Sequence, residues 1–268
     1  MFLGCQEMAV DIEKCEAQRL EDYAHAHQKL NAGSKVTSIS VGEGAGLFAG
    51  VASPLTQAMG FWGADPQSWA VPLVNFFRSH GSETLIGVSS LTQPEAANCL
   101  LKLGFTIRQY GHVLVLPLTG KDWNADSNFD IHLATPGQRS DVASLLVNGF
   151  LDGGQSDQLK EIMEVRATIS HVKSFYATEN GQTLGAANLY LKEPYCFLTG
   201  ASTLPAYRNQ GVQKALTRAR LDYAQKHGSR FVVVTTEPGS ISQQNMSKLG
   251  FQIAYTRNRF VLPFSDTP

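Results

Sequence analysis

The sequence predicts an α/β protein built from two tandem domains of one fold, each a mixed, mostly antiparallel sheet flanked by helices. Its 268 residues suit one large domain or two modest ones, at about 100–200 residues per domain. A hydrophobic fraction of 43% is enough to fill a core. Two long segments of the chain also resemble each other, and this internal repeat is what favours two domains over one.

The repeat relates residues 80–118 to residues 227–264. Each copy begins with His-Gly-Ser and an aliphatic run, continues into a helical stretch that ends in Lys-Leu-Gly-Phe, and closes with a second apolar run. Aliphatic runs without polar alternation are typical of strands buried on both faces. Glycine accepts the left-handed conformation that ends a helix. We therefore predict domains at 1–120 and 121–268, which meet near a polar linker at 119–128.

The second half alternates strands and helices. Asn180-Gly181 is a strong signal for a tight hairpin turn, and Pro136 stands where proline is favoured at the start of a helix. Apolar residues at helical spacing follow Gly211, beginning with Val212 and Leu216. Strands are predicted at 129–134, 172–178, 183–191, 195–204 and 231–236, helices at 136–150, 157–171, 211–226 and 240–249, and two closing strands complete the order β-α-α-β-β-β-α-β-α-β-β.

The most informative segment, 203–216, follows a predicted strand and opens a predicted helix. Free N–H groups and the positive end of the helix dipole make such a start receptive to phosphate. Gly211 lets the backbone approach a ligand closely, and Arg208 and Lys214 add positive charge. From these residues alone, a plain connector is the favoured interpretation.

Residues Arg208-Asn209-Gln210-Gly211-Val212-Gln213 resemble the R/Q-x-x-G-x-G/A signature of the GNAT superfamily of acyl-CoA-dependent N-acyltransferases. The predicted element order is similar to the complete GNAT fold, and Lys248-Leu249-Gly250-Phe251 is similar to its K-x-G-F close. The resemblance covers residues 129–264, and the first half is similar only over about 80–118. Two residues depart from the pattern: Gln213 replaces a small residue, and Met246 replaces the Tyr that protonates the leaving thiolate in many members.

The resemblance implies acetyl-CoA, or another acyl-CoA, as co-substrate. Strand backbone would pair with the pantetheine arm, loop amides would hold the pyrophosphate, and one face of the penultimate helix would touch the cofactor. A helix cap and solvent exposure are the alternative roles on that last face. The implied cofactor-binding residues are Ala201, Thr203, Arg208, Asn209, Gln210, Gly211, Val212, Gln213, Lys214, Ser242 and Asn245.

The catalytic residues are less clear. A carboxylate could take the proton from an ammonium acceptor through water, and a phenol could protonate the thiolate. Glu237, at the end of a buried strand, and Tyr255, in the strand after Phe251, are the candidates, although each could equally be an ordinary surface or core residue. Orientation of amine and thioester alone can supply about 7–11 kcal/mol, so an enzyme does not depend on an obvious acid.

The function expected is therefore an N-acetyltransferase that transfers an acetyl or acyl group directly to a primary amine of a small molecule or peptide. A non-catalytic acyl-CoA-binding sensor or interaction protein is the alternative, motivated by Met246, and a phosphate-binding scaffold is a third. A net charge of −1 argues against nucleic acid as a partner. Apolar runs too short to span a bilayer argue against a membrane and for a cytoplasmic protein, and the four cysteines show no metal-binding spacing.

The first half lacks the basic loop. Residues 53–61 stand where we expect the counterpart of the basic loop, but they include no basic residue, and Pro54 removes an amide donor. The glycine-rich stretch 42–50 is expected to be a turn-rich hairpin, because neither a P-loop nor a dinucleotide motif is present. The aromatic residues of this half, Trp62, Trp69, Phe76 and Phe77, are expected to pack in the core or at a domain seam. We interpret the first half as a degenerate copy that supports the second.

Overall fold

The computed structural model describes residues 5–62, 65–123 and 128–264. Up to the linker, its elements are α1 (Cys5–Leu30), β1 (Thr37–Val41), β2 (Gly44–Phe48), β3 (Gln57–Met59), α2 (Gln67–Ser79), β4 (Thr84–Ser89), α3 (Pro94–Lys102) and β5 (Thr106–Pro117). They continue with β6 (Asp130–Leu133), α4 (Arg139–Phe150), α5 (Asp157–Thr168), β7 (Val172–Glu179), β8 (Gln182–Lys192), β9 (Tyr195–Thr203), α6 (Val212–Lys226), β10 (Phe231–Thr236), α7 (Ile241–Lys248) and β11 (Gln252–Leu262).

The chain forms two compact units. Unit 1 contains residues 1–114 together with 235–268, and unit 2 contains residues 115–234. The predicted domains, 1–120 and 121–268, were defined from the internal repeat and not from compactness, and this division stays a prediction. Residues 124–127 of the predicted linker lie outside the described part of the chain.

Unit 2 contains a mixed sheet in the order β6-β7-β8-β9-β10. The first three pairings are antiparallel and the last, between β9 and β10, is parallel. Asn180 and Gly181 both adopt positive φ, +50° and +78°, as the predicted tight turn between β7 and β8 requires. Ser156 caps α5 by accepting a hydrogen bond from the amide of Leu159.

Unit 1 repeats this pattern. Its strands lie in the order β1-β2-β3-β4-β11, with β3 parallel to β4 and the other pairings antiparallel. The stretch 42–50 contains the β1–β2 turn and β2, which are the second half of a hairpin that begins with β1. Trp69 and Phe77 are buried in the core of this unit, as expected, next to Phe61 and Phe260. The similarity between the halves thus includes β1–β3, where the two halves show no visible likeness in sequence.

Two sequence-based expectations need correction, and one element was missed. One long strand, β11, replaces the two predicted closing strands, and the long helix α1 was not predicted. The segment 53–61 contains β3, so the connection that leads into α2 is 60–66 and not the segment compared with the basic loop. Among the helices of the described residues, none is long and apolar enough to cross a membrane.

Candidate functional site

The predicted pantetheine strand, β9, is paired along one edge and only partly paired along the other. Its pairing with β8 is interrupted by a bulge at Gly200, because Ala187 faces Ala201 while Asn188 faces Thr199. On the other edge, β9 pairs with β10 only through Tyr195–Phe197. Within the described chain, residues 198–203 therefore have no strand partner on that edge. The main-chain groups of Ala201 and Thr203, both half-buried, lie in this open stretch.

The basic loop follows this open strand directly. A 3-10 turn at Pro205–Tyr207 leads into Asn209, at φ +63°, and Gly211, at φ +93°. Gly211 caps α6, whose first backbone bond runs from the amide of Ala215 to the Gly211 carbonyl. In the part of the chain that the structure describes, no backbone or side-chain acceptor pairs with the six amides of residues 209–214. The turn at the start of this helix therefore carries six unpaired amide donors beside the positive end of the helix dipole, which suits a phosphate group.

Gly211 is required for its dihedral angle and not for space. A Cβ atom at this position would find only a Phe129 ring carbon, at 4.0 Å. Its φ of +93° lies in the left-handed region, which L-residues adopt only at a cost. Gln210 and Lys214 are exposed, Gln213 is half-buried and Val212 is buried under the helix. Gln213 is the residue that departs from the family pattern, and its side chain accepts no hydrogen bond from the amides of residues 209–214.

Arg208 anchors the loop to the end of α4. Its Nη2 atom donates to the carbonyl of Gly149 at 2.8 Å and to the carboxylate of Asp152. A Cβ atom at Gly149 would come within 2.6 Å of Ser202, so this end of α4 packs tightly on β9. The guanidinium thus has an intramolecular partner already, and its contact with a cofactor stays a prediction.

Sequence reasoning missed Arg220, which holds the strand beside the bulge. It is 2% exposed, and it donates to the Asn188 carbonyl at 2.9 Å, the Leu216 carbonyl at 3.1 Å and the Thr217 hydroxyl at 3.2 Å. Burial lowers the pKa of Arg220 to about 10, so the side chain stays cationic at neutral pH. The sequence feature that could have predicted this role is an arginine on the apolar face of the helix α6.

Four of the predicted site residues belong to unit 1 and not to the unit that carries the loop. Glu237 is exposed, and its Oε1 atom accepts a hydrogen bond from Gln109 Nε2 at 2.8 Å. Ser242 is exposed and Asn245 is half-buried on α7, whose cap is Ser240. Their roles at a cofactor stay predictions.

Tyr255, the fourth of these residues, lies in a buried polar cluster. It is 4% exposed, and its hydroxyl donates to Glu13 Oε1 at 2.6 Å. The same oxygen accepts from Nε and Nη2 of Arg257, at 2.9 and 2.8 Å. Burial and the charge of Glu13 raise the pKa of Tyr255 well above its ordinary value. This geometry favours a structural role, and a role as proton donor stays a prediction.

An open strand followed by free amides at a helix start is an arrangement that suits an extended ligand that carries phosphate. The comparisons with known proteins are more specific. The Acetyltransferase (GNAT) family matches residues 141–251, which include α4, the open strand and the loop. Aminoglycoside N(6′)-acetyltransferases type 1 from Salmonella typhimurium and Salmonella enteritidis are each 32% identical over 92 residues, 31% of this chain and 63% of theirs. The resemblance to the GNAT family is confirmed.

Solved structures confirm the fold over nearly the whole chain. A GCN5-related N-acetyltransferase from Kribbella flavida superposes with a TM-score of 0.64 at 15% identity, covering 93% of this chain and 96% of that one. A tandem GNAT protein from the clavulanic acid biosynthesis pathway gives 0.59 at 14% identity, over 75% and 70%. FemX gives 0.58 at 11% identity, over 96% of each chain. At these identities the likeness shows the fold alone, and the fold is that of tandem GNAT-like domains.

Proposed function

We propose that this protein is an N-acetyltransferase that transfers the acetyl group of acetyl-CoA, or the acyl group of another acyl-CoA, directly to a primary amine. The observation that carries the proposal is the set of six unpaired amides at 209–214, placed directly after the open edge of β9. An extended edge can pair with the two amide groups of pantetheine, and unpaired N–H groups at a helix start suit the two charges of a pyrophosphate. This chain therefore offers partners for both parts of CoA in the order in which CoA presents them.

The transfer needs little further chemistry from the protein. The amine nitrogen loses a proton and attacks the thioester carbonyl, the carbon–sulfur bond breaks, and the CoA thiolate leaves and takes up a proton. Holding amine and thioester in contact is the main catalytic contribution. Glu237 is the base in this proposal, because it is an exposed carboxylate whose one hydrogen bond comes from Gln109 Nε2, and a carboxylate can take a proton from an ammonium through water. Met246 has no proton to give, so the thiolate takes its proton from the predicted donor Tyr255 or from solvent.

The acceptor is proposed to be a small molecule or peptide with a primary amine. The curated relatives act on aminoglycosides according to their names, and they match this chain over 63% of their length. Amino sugars are therefore the first acceptors to try, followed by polyamines and short peptides. A cytoplasmic location, and partners that include neither nucleic acid nor a membrane, remain predictions from composition.

The experiment has two stages on the full chain. Thermal shift and calorimetry with acetyl-CoA, longer acyl-CoAs and free CoA measure binding, and thiol release with each amine pool measures transfer. We expect acetyl-CoA to bind and at least one amine pool to release thiol above the level without amine. Failure of every CoA species to bind refutes the proposal.

A second candidate function is an acyl-CoA sensor without turnover. The observation in its favour is Met246, which replaces the family's Tyr and is 4% exposed on α7, so that it acts as a core residue. Tight binding of acetyl-CoA, with no thiol release across the whole panel and with N-acetylated product undetectable by mass spectrometry, is the result that identifies a sensor.

A further inference from the structure

A polar face of unit 1 surrounds Glu237, the base in the proposed function. Thr235, two residues before it, and Arg257 of β11 lie on this face, because Arg257 Nη1 donates to Thr235 Oγ1 at 3.5 Å. Side chains two residues apart in a strand share a face, so Arg259 lies on it as well. Gln109 of β5 completes the face, since its Nε2 atom donates to Glu237 Oε1 at 2.8 Å. All five residues belong to unit 1.

Arg259 is the arginine of this face that has no ionic partner. Arg257 donates to Glu13 and Glu16, and Arg19 donates to Glu16 as well. Arg259, by contrast, makes no hydrogen bond or ion pair with any residue that the structure describes. It is half-buried, and a charge that is partly removed from water without a partner costs free energy.

The charge nearest to being free beside Arg259 is that of Glu237. Two carboxylates attract Arg259, those of Glu16 and Glu237. Glu16 is already paired with two other arginines, whereas Glu237, within the described chain, accepts only from the neutral Gln109. Burial and the charge of Arg257 lower the pKa of the Arg259 guanidinium, as expected for a cation whose surrounding negative charge is incomplete.

Arg259 and Glu237 attract each other but do not form an ion pair, so a gap separates two opposite charges on one face. A molecule that carries both an ammonium group and a carboxylate can fill such a gap. Its carboxylate suits the planar fork of a guanidinium, which donates two parallel N–H bonds. Its ammonium group suits the exposed carboxylate of Glu237.

We propose that the amine acceptor of this protein also carries a carboxylate, and that Arg259 is the residue that selects it. Arg259 binds the carboxylate, and the amine lies toward Glu237, which takes its proton through water. The transfer step is unchanged: the nitrogen attacks the thioester carbon, the carbon–sulfur bond breaks, and CoA leaves as a thiolate that takes up a proton. This inference rests on the proposed function and narrows its acceptors to amino acids and related compounds.

The test compares amino acids with their neutral amides on the full chain. Glycine, β-alanine and 4-aminobutanoate are each paired with the corresponding amide, which keeps the amine and the carbon chain but removes the negative charge. Thiol release with acetyl-CoA measures kcat and KM for each compound. We expect at least one of the acids to be acetylated. Because the amide also changes the basicity of the amine, the decisive quantity is how a change at Arg259 affects the acid relative to its amide.

Variants of Arg259 supply that quantity. Arg259→Gln removes the charge, and we expect it to raise the KM of the acid by about tenfold, the lower end of what a hydrogen bond to a charged group supplies. The KM values of the amide and of acetyl-CoA should stay the same, which a general loss of structure would not allow. Arg259→Lys keeps the charge but not the fork, so it should recover part of the loss.

The matched control is Arg108→Gln. Arg108 is an exposed arginine of the same unit that pairs with Glu83, and its replacement should change none of the three KM values. If no CoA species binds, the proposed function fails and this inference fails with it. If acetyl-CoA binds, the inference alone is overturned by transfer only to compounds without a carboxylate, by no transfer to any compound of this panel, or by an equal effect of Arg259→Gln on acid and amide.

Discussion

Replacing Gly211 with alanine separates a phosphate-binding loop from a plain connector. Any L-residue at φ +93° is strained by about 1–2 kcal/mol. The loop then either keeps its shape at that cost or relaxes and turns its amides away from the ligand. An N–H bond to a charged oxygen is worth about 1.5–3 kcal/mol. Loss of one such bond or more raises the Kd for acetyl-CoA by about 10- to 100-fold.

The matched control is Gly181→Ala. Gly181 has φ +78°, and a Cβ atom there would meet nothing within 4 Å, so this change imposes the same kind of strain in the same unit, at the turn between β7 and β8. Both variants should lose similar stability in urea, and calorimetry should find weaker acetyl-CoA binding only for Gly211→Ala. Gly60 is a poor control, because a Cβ atom there would lie 2.7 Å from Ala17 Cβ. Unchanged acetyl-CoA affinity in a folded Gly211→Ala variant would show that the loop is a connector.

Three further predictions follow from buried or bridging charges. If Arg208 acts by bracing the loop against Asp152, Arg208→Ala and Asp152→Ala should weaken acetyl-CoA binding equally, by less than about tenfold. Calorimetry at low and high salt measures both affinities. A larger, salt-sensitive loss of affinity in Arg208→Ala alone would indicate direct contact with the phosphate. Arg220→Met should lower the free energy of unfolding by about 1–3 kcal/mol, because it leaves the buried Asn188 carbonyl without its donor. It should also weaken acetyl-CoA binding, because the strand beside the bulge is no longer held; unchanged affinity in the folded variant contradicts this role. Burial raises the pKa of the Glu16 carboxyl, but the charges of Arg19 and Arg257 outweigh burial and lower it. Ionised Glu16 therefore stabilises the fold above the unfolded pKa, and this contribution is lost as pH falls through the folded pKa. Urea midpoints should fall more steeply with acid in wild type than in Glu16→Gln.

Much of unit 2 could be predicted from the sequence because its signals are local. The Asn180-Gly181 turn, the apolar spacing after Gly211 and the aliphatic run of β10 each determine structure within a few residues. The loop could be identified for the same reason, since its glycine and its place between strand and helix are visible in the chain.

What the sequence did not predict depends on distant partners. No pattern around Asn188 indicates a bulge opposite it, because the extra residue is defined only by the pairing of β8 with β9. Arg208 was predicted to face a cofactor, and its bonds to Gly149 and Asp152 arise from a helix more than fifty positions earlier in the chain. Glu13 and Tyr255 are separated by almost the whole sequence, and neither has a local feature that predicts the other.

The same buried cluster explains why the end of the chain belongs to unit 1. β11 pairs with β4, and Arg257 on β11 donates to Glu13 and Glu16 of α1. The side chains of Arg257 and Glu13 are 3% and 2% exposed, so separating the strand from the helix would leave a buried charge unpaired. Breaking such a pair costs about 3–5 kcal/mol, although forming it adds little net stability. We therefore expect the pair to select which strand lies beside α1 more than to stabilise the fold. The internal repeat in the sequence shows where each copy begins and ends. We expect the Arg257–Glu13 pair to determine that β11 folds with unit 1.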